Sequence, residues 1–239
     1  MTDTPDTGEI ATYYDDYSTW YEDERREGYY ALINDLEFER IEPHVTGRDA
    51  LEIGCGTGLI LERTHAVART AVGVDLSSGM ARFSAKKKGL RALNASATDL
   101  PFADDSFDVV YSCKVLPHVP DIRSALREVA RVLRPGGRAF LEFYGPYSLK
   151  ALAYRLVQVR RRKDPVYVRF DTASDVAGYL PDGFELRSRR GIRIFAPIRF
   201  CYTIPGVRRV FELLERRFCD TPLARFGGYQ LFEIAERGS

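Results

Sequence analysis

The sequence predicts an α/β protein built on a parallel sheet, and three observations carry that expectation. Short apolar runs at residues 50–53, 71–74, 109–112 and 139–143 have the composition of strands buried on both faces. Segments of helical periodicity lie between them, the order expected when crossover helices join parallel strands. The first run passes straight into Gly54-Cys55-Gly56-Thr57-Gly58, a turn whose glycines imply close approach of backbone to something else.

Residues 1–9 read as a loose polar, acidic tail, and no run approaches the ~18 apolar residues of a spanning helix, so a cytoplasmic protein is expected. Residues 10–41 are rich in Tyr, Asp and Glu, with Tyr13, Tyr17, Trp20 and Tyr21 at helical spacings, and predict one or two entry helices that Pro43 and Gly47 end. Residues 121–133 place Ile122, Ala125, Leu126, Val129, Ala130 and Leu133 on one stripe, with Asp121 as N-cap and Pro135-Gly136-Gly137 as terminator. Beyond Gly145 follow helices at 147–162 and 172–180, a strand at 184–194, a helix at 207–218 and a last strand at 229–235. There is no internal repeat and no low-complexity linker, so residues 1–239 read as one domain: entry helices at 10–41, a core at 45–145, an elaboration at 146–226 and the closing strand.

With 45% hydrophobic and 29% charged residues the chain is too apolar for disorder. Its 35 Lys+Arg against 34 Asp+Glu exclude nucleic-acid binding by bulk charge. The balance is uneven, however, since residues 146–226 hold 17 Lys+Arg against 8 Asp+Glu. Four cysteines without a C-x-x-C pair and three scattered histidines give neither a disulfide framework nor a metal site.

The chemistry concentrates around the glycine turn. A dinucleotide fingerprint reads G-x-G-x-x-G, whereas here the third glycine comes one residue early and Glu52 precedes the first by two, which suits a cationic ligand better than a pyrophosphate. The next apolar run ends at Asp75, where a carboxylate can accept hydrogen bonds from a ribose diol. A short strand then gives way to a loop whose Asp99 can accept from an adenine amino group. Each acid alone also reads as a helix cap or loop carboxylate; their joint spacing favours the binding reading.

The stretches ALEIGCGTG (50–58), VGVDLS (72–77), ASATDLPFADDSFDVVYS (95–112) and LREVARVLRPGGRAFL (126–141) together resemble the class I S-adenosylmethionine-dependent methyltransferases, nearest the branch with the ubiquinone, menaquinone and natural-product enzymes. That resemblance implies a Rossmann-like, mostly parallel seven-stranded sheet of order 3-2-1-4-5-7-6 with an antiparallel last strand, helices on both faces and a helical lid elaboration. It implies S-adenosylmethionine as cofactor: Glu52, Gly54, Cys55 and Gly56 on the methionine and sulfonium side, Asp75 and Leu76 at the ribose, Ala97, Thr98, Asp99 and Leu100 around the adenine, and Ser112 and Cys113 beside the amino acid part. The acceptor is expected to be a small molecule, apolar or aromatic and open to carrying an anionic group. An RNA or tRNA methyltransferase and a non-catalytic cofactor-binding relative are the alternatives.

The loop after the fourth strand, Cys113 to Asp121, departs from the branch pattern at Lys114 and Pro117. His118 titrates near neutrality and is a candidate general base, or else a brace for the loop. Lys114 is a candidate for holding a substrate anion, with a solvated lysine as the alternative. Tyr13, Tyr17, Tyr21 and Tyr144 are candidate lid and pocket residues. In the basic region, Arg160-Arg161-Arg162-Lys163 reads as a solvated helix end, whereas Arg155, Arg169, Arg193 and Arg199 are candidates to clamp a phosphate or carboxylate. Residues 192–218 would suit transient contact with a membrane surface.

Overall fold

Every apolar run named above becomes a strand. β1 (Asp49–Ile53), β2 (Thr70–Asp75), β3 (Ala92–Asn94), β4 (Phe107–Ser112), β5 (Leu133–Tyr144), β6 (Phe184–Ile192) and β7 (Tyr229–Glu236) form one sheet of order β3-β2-β1-β4-β5-β7-β6. The pairs among the first five are parallel, and β7 runs antiparallel to both β5 and β6. The computed structural model describes residues 28–158, 167–195 and 204–238. Its helices are α1 (Gly28–Val45), α2 (Leu59–Val67), α3 (Ser78–Lys88), α4 (Ile122–Val132), α5 (Leu149–Gln158), α6 (Ala173–Tyr179) and α7 (Pro205–Phe218).

The central strands β1, β2, β4 and β5 are largely apolar, with Glu52 and Glu142 as exceptions, because both faces are covered. On one side, Ile122, Leu126 and Val129 of α4 and Val176 of α6 pack on Leu51, Ile53, Val110 and Leu141. On the other, Phe38, Ile41 and Val45 of α1 and Ile60 of α2 cover Val109, Tyr111 and Phe140. The α4 stripe is as its periodicity predicts at Ile122, Ala125, Leu126 and Val129, while Ala130 is half-buried and Leu133 opens β5, and Asp121 caps the helix by accepting from the Ser124 N–H at 3.1 Å. α6 opens with a capping box between Thr172 and Asp175.

Element boundaries differ from expectation where long-range contacts outweigh local signals. α1 runs through Pro43 to Val45, because the proline deletes one hydrogen bond near the helix end while the fully buried Ile41 and Val45 hold that turn on the sheet. α4 ends at Val132, and Pro135-Gly136-Gly137 falls inside β5 as a bulge between the Leu133–Phe107 and Arg138–Val109 pairs, with Gly136 at φ 75°. α5 starts at Leu149, two residues later than the periodicity suggests, since Ser148 Oγ accepts from the Ala151 N–H at 3.1 Å and sets the start. β6 stops at Ile192, where Arg193 turns to φ 62°. Tyr13, Tyr17, Trp20 and Tyr21, residues 160–163 and Arg199 lie outside the described residues.

Part of the basic elaboration is neutralised from within. Arg169 forms a forked pair with Asp171 and lies over the Tyr179 ring, Arg190 pairs with Asp220, and Arg208 pairs with Glu212. Arg193 lies over the Tyr29 ring. Arg169 is thereby committed to Asp171 rather than presented to a ligand anion, while Arg155 is exposed. Among the described residues no helix is long and apolar enough to cross a membrane.

Candidate active site

The crevice lies at the carboxyl end of β1, where open parallel sheets present their loops. Gly54 and Cys55 donate their N–H groups to the Val74 carbonyl at 2.7 and 3.0 Å, tying the glycine turn to β2. Asp75, at the end of β2, completes the clasp: Oδ2 accepts from the Gly56 N–H at 2.8 Å and Oδ1 from the Ser77 N–H at 2.9 Å. All three glycines have positive φ, 74° at Gly54, 54° at Gly56 and 81° at Gly58, so the turn needs them for backbone reasons alone. Their surroundings differ. A Cβ on Gly54 would lie 2.1 Å from Val115 Cγ2, one on Gly58 would lie 2.5 Å from Ser84 Oγ, and one on Gly56 meets nothing within 4 Å. Two of the glycines therefore admit neighbouring protein, and Gly56 alone faces open space.

The walls are Glu52, Thr57 and Ile60 from the turn and its flanks, Asn34 from α1, and Cys113 and Lys114 after β4. Glu52 is almost fully buried, with the Tyr111 phenol oxygen 3.2 Å from Oε2 and 2.8 Å from Thr64 Oγ1. Burial pushes its carboxyl well above the usual range, with the Tyr111 hydrogen bond and Lys114 opposing, as expected for an acid whose direct partner here is a neutral phenol. Burial raises the thiols of Cys55 and Cys113 as well, so neither is a nucleophile at neutral pH.

The remaining expected cofactor residues are distributed less uniformly. Cys55 borders the crevice, but its side chain packs in the cluster with Leu61 and Leu90. Leu76 is half-buried and its carbonyl accepts from Asn94 Nδ2 at 2.8 Å. Ala97 and Thr98 are half-buried and Asp99 is exposed, on a turn closed by the Asp99 N–H to Ser96 carbonyl bond. Leu100 is buried in the main core with its N–H held by Glu128 Oε2 at 2.8 Å. Ser112 is fully buried and donates to the Ile53 carbonyl at 2.9 Å, so its side chain braces β4 against β1 instead of lining the crevice. Cys113 does line it.

On the acceptor side, His118 ends a short 3-10 turn (Leu116–His118). Its Nδ1 is 2.8 Å from the Tyr167 carbonyl, which can only accept, so Nδ1 carries the proton and Nε2 accepts from the Tyr144 hydroxyl at 3.1 Å. Burial lowers the imidazole pKa, against the Tyr167 hydrogen bond, which favours the charged form. Both nitrogens are thus engaged, the geometry of a brace. Tyr144 stands beside Phe170 and Tyr229, with the Lys150 ammonium 2.8 Å from its ring centroid.

Lys114 also departs from its expected role. It sits at φ 64°, and its ammonium donates to Glu37 Oε2 at 2.8 Å and Asn34 Oδ1 at 2.9 Å. Its charge is committed to α1. Asn34, Glu37 and Glu142 were not singled out from the sequence; the available signal was an acid in the middle of an apolar strand at Glu142 and one on the inward face of α1 at Glu37.

Comparison with known proteins agrees with this geometry. A family model described as a methyltransferase domain matches residues 51–141. An O-methyltransferase of Aspergillus nomiae is 34% identical over 158 residues, 56% of this chain and 70% of that one. A ubiquinone biosynthesis O-methyltransferase of Methylococcus capsulatus is 28% identical over 206 residues, covering 80% and 86%. The crystal structure of an S-adenosylmethionine-dependent methyltransferase from Thermotoga maritima superposes with a TM-score of 0.64 at 19% identity, covering 95% of this chain and 98% of that one, a likeness of fold.

Proposed function

This chain belongs to the S-adenosylmethionine-dependent methyltransferases and uses that cofactor, and from this premise we propose that it methylates a hydroxyl of a small, largely apolar or aromatic acceptor. The residues at the crevice fit the cofactor. Glu52 offers a buried carboxyl group to an ammonium group, Gly56 leaves open space for close approach, and Asp75 sets a carboxylate at the end of β2 beside the glycine turn, the place for a ribose diol. Ala97, Thr98 and Asp99 border the place assigned to the adenine, with Leu100 supporting that loop from the core. When bound, the cofactor supplies an electrophilic methyl group on a sulfonium.

The observation that carries the acceptor assignment is the aromatic wall at the end of β5, where Tyr144, Phe170, Tyr229 and Tyr154 cluster beside His118. The cluster makes this end of the sheet apolar and aromatic although the Tyr144 and Tyr229 rings are themselves buried, and Lys150 over both rings adds positive potential for an anionic substituent. Hydroxyl methylation is chosen because both curated relatives described above are O-methyltransferases. In-line displacement needs the acceptor held behind the methyl group and water kept out, which is a task of alignment. His118 contributes by fixing the Tyr144 hydroxyl, not by taking the acceptor proton. Tyr13, Tyr17 and Tyr21 are assigned to the acceptor side of the same pocket on sequence grounds.

The test is incubation with methyl-labelled cofactor and fractionated cell extract. Label should enter a small apolar product whose mass rises by one methylene unit as a methyl ether. Label confined to RNA, or no S-adenosylhomocysteine formed over background, would overturn the assignment.

A further inference from the structure

Behind the crevice, α1, β5 and the loop after β4 converge on a polar cluster that neither the glycine turn nor the aromatic wall uses. Glu37 and Glu142 are fully buried. Lys114 Nζ donates to Glu37 Oε2 at 2.8 Å, and the Lys114 backbone N–H donates to Glu142 Oε1 at 3.1 Å. The other oxygen of each acid, Glu37 Oε1 and Glu142 Oε2, is buried with no donor among the described residues. The two carboxyl groups and the Cys113 sulfur bring candidate ligand atoms within 4.8 Å of one another. Two ionised carboxylates so placed, with one ammonium on Glu37, leave a net negative charge in the interior and two buried acceptors without a donor among the described residues. A single proton removes both faults.

The environment also says which acid holds it. Glu37 receives the Lys114 ammonium directly, whereas Glu142 receives a neutral N–H. The charged groups around Glu142 are Glu37 from α1, Lys114 after β4 and Lys150 from α5, with Glu52 of β1 and the Cys113 thiol bordering the same cluster. Burial, reinforced by the Glu37 charge and opposed by the two lysines, pushes the Glu142 carboxyl well above the usual range.

We propose that Glu37, Glu142 and Lys114 form a neutral cluster in which Glu142 carries the proton and donates it to Glu37 Oε1, and that this cluster positions α1, with Asn34 and Lys114, against the cofactor crevice. Asn34 and Lys114 both line that crevice, whereas Glu142 lies behind it. The inference rests on the crevice being the cofactor site. A glutamine at 142 copies the protonated acid, accepting from the Lys114 N–H through its oxygen and donating to Glu37 through its amide. A glutamine at 37 does not do this, because it takes the carboxylate charge away from the half-buried Lys114 ammonium.

The experiment compares wild type, Glu142→Gln and Glu37→Gln by calorimetric titration with S-adenosylhomocysteine and by thermal unfolding from pH 5.5 to 8.5. Glu142→Gln should bind within about threefold of wild type, and its Tm advantage should grow with pH: the folded wild type keeps a proton that its unfolded chain releases above ~4.5, so wild-type stability falls as pH rises toward the raised folded pKa. Glu37→Gln should lose more than about tenfold in affinity and melt lower at every pH. Equal affinity losses for the two variants, or a Glu142→Gln variant with no pH-dependent gain in Tm, would overturn the proposal. So would a stoichiometric divalent metal retained by wild type, since an ion would then take the proton's place. Should Glu37→Gln fail to fold, the Tm profile of Glu142→Gln decides by itself. A wild type that binds no S-adenosylhomocysteine would refute the crevice assignment, and the Tm profile would still judge the cluster.

Discussion

Two alanine substitutions two residues apart, at Gly54 and Gly56, should fail in different ways. At Gly54 the positive φ costs an L residue about 1–2 kcal/mol. The added methyl would also sit 2.1 Å from Val115 Cγ2 and 2.7 Å from Cγ1, so no small shift relieves it, and overpacking of this kind costs a further ~1–3 kcal/mol. The sum, roughly 2–5 kcal/mol, is a large part of a typical domain stability of about 5–15 kcal/mol. At Gly56 the φ penalty of about 1–2 kcal/mol stands alone, because nothing lies within 4 Å of the new methyl. That methyl instead occupies space in the crevice, where losing more than about 1.4 kcal/mol of contact is a tenfold weaker ligand. Urea unfolding should show a clear drop in midpoint for Gly54→Ala and a small one for Gly56→Ala. Titration with S-adenosylhomocysteine should show a tenfold or greater loss for Gly56→Ala. A Gly54→Ala protein with the wild-type urea midpoint, or a Gly56→Ala protein with wild-type affinity, would refute the division of labour among the glycines.

Asp75→Ala deletes the acceptors for two backbone N–H groups, each a charge-assisted bond worth about 1.5–3 kcal/mol when well buried and less at this half-buried site, and should weaken S-adenosylhomocysteine roughly tenfold to a hundredfold by calorimetry. Asp75→Asn should lose nearly as much, since an amide accepts from one of the two N–H groups and opposes the other; unchanged affinity in both would remove Asp75 from the site. His118→Ala should lower Tm at pH 7.5, leave cofactor affinity intact and cost less than about tenfold in turnover, whereas a hundredfold loss at unchanged Tm would reinstate the histidine as base. The same residue predicts a pH effect: with its folded pKa below 6.5 the imidazole stays neutral when folded, the unfolded chain takes up the proton first, and wild-type stability declines as pH drops below about 6.5, a slope that His118→Ala should flatten in Tm measurements.

Much of this molecule is legible from local sequence because its determinants are local. Strands buried on both faces are near-continuous apolar runs, so residues 50–53, 71–74, 109–112 and 139–143 announce themselves even with Glu52 and Glu142 inside them, and the stripe of α4 with its Asp121 cap needs no partner to be recognised. The positive φ of the glycine turn and the place of Asp75 at a strand end follow from short-range geometry in the same way. The reason each glycine is needed does not: Val115 reaches Gly54 across a gap of sixty residues, and Ser84 reaches Gly58 from α3.

The sequence by itself determined the sheet, the cofactor turn and the class of chemistry, since these rest on periodicity and on motifs contiguous in the chain. The tertiary structure decided what the polar residues around that turn do. Lys114 reads as a free cation until α1 brings Glu37 and Asn34 onto it from 77 and 80 residues away. His118 reads as a base until Tyr167 and Tyr144 take both nitrogens. Glu142 reads as an oddity in an apolar strand until the fold sets it beside a second buried acid. A side chain's charge, proton and partner are set by which groups exclude water from it, and those groups come from distant segments that only folding brings together.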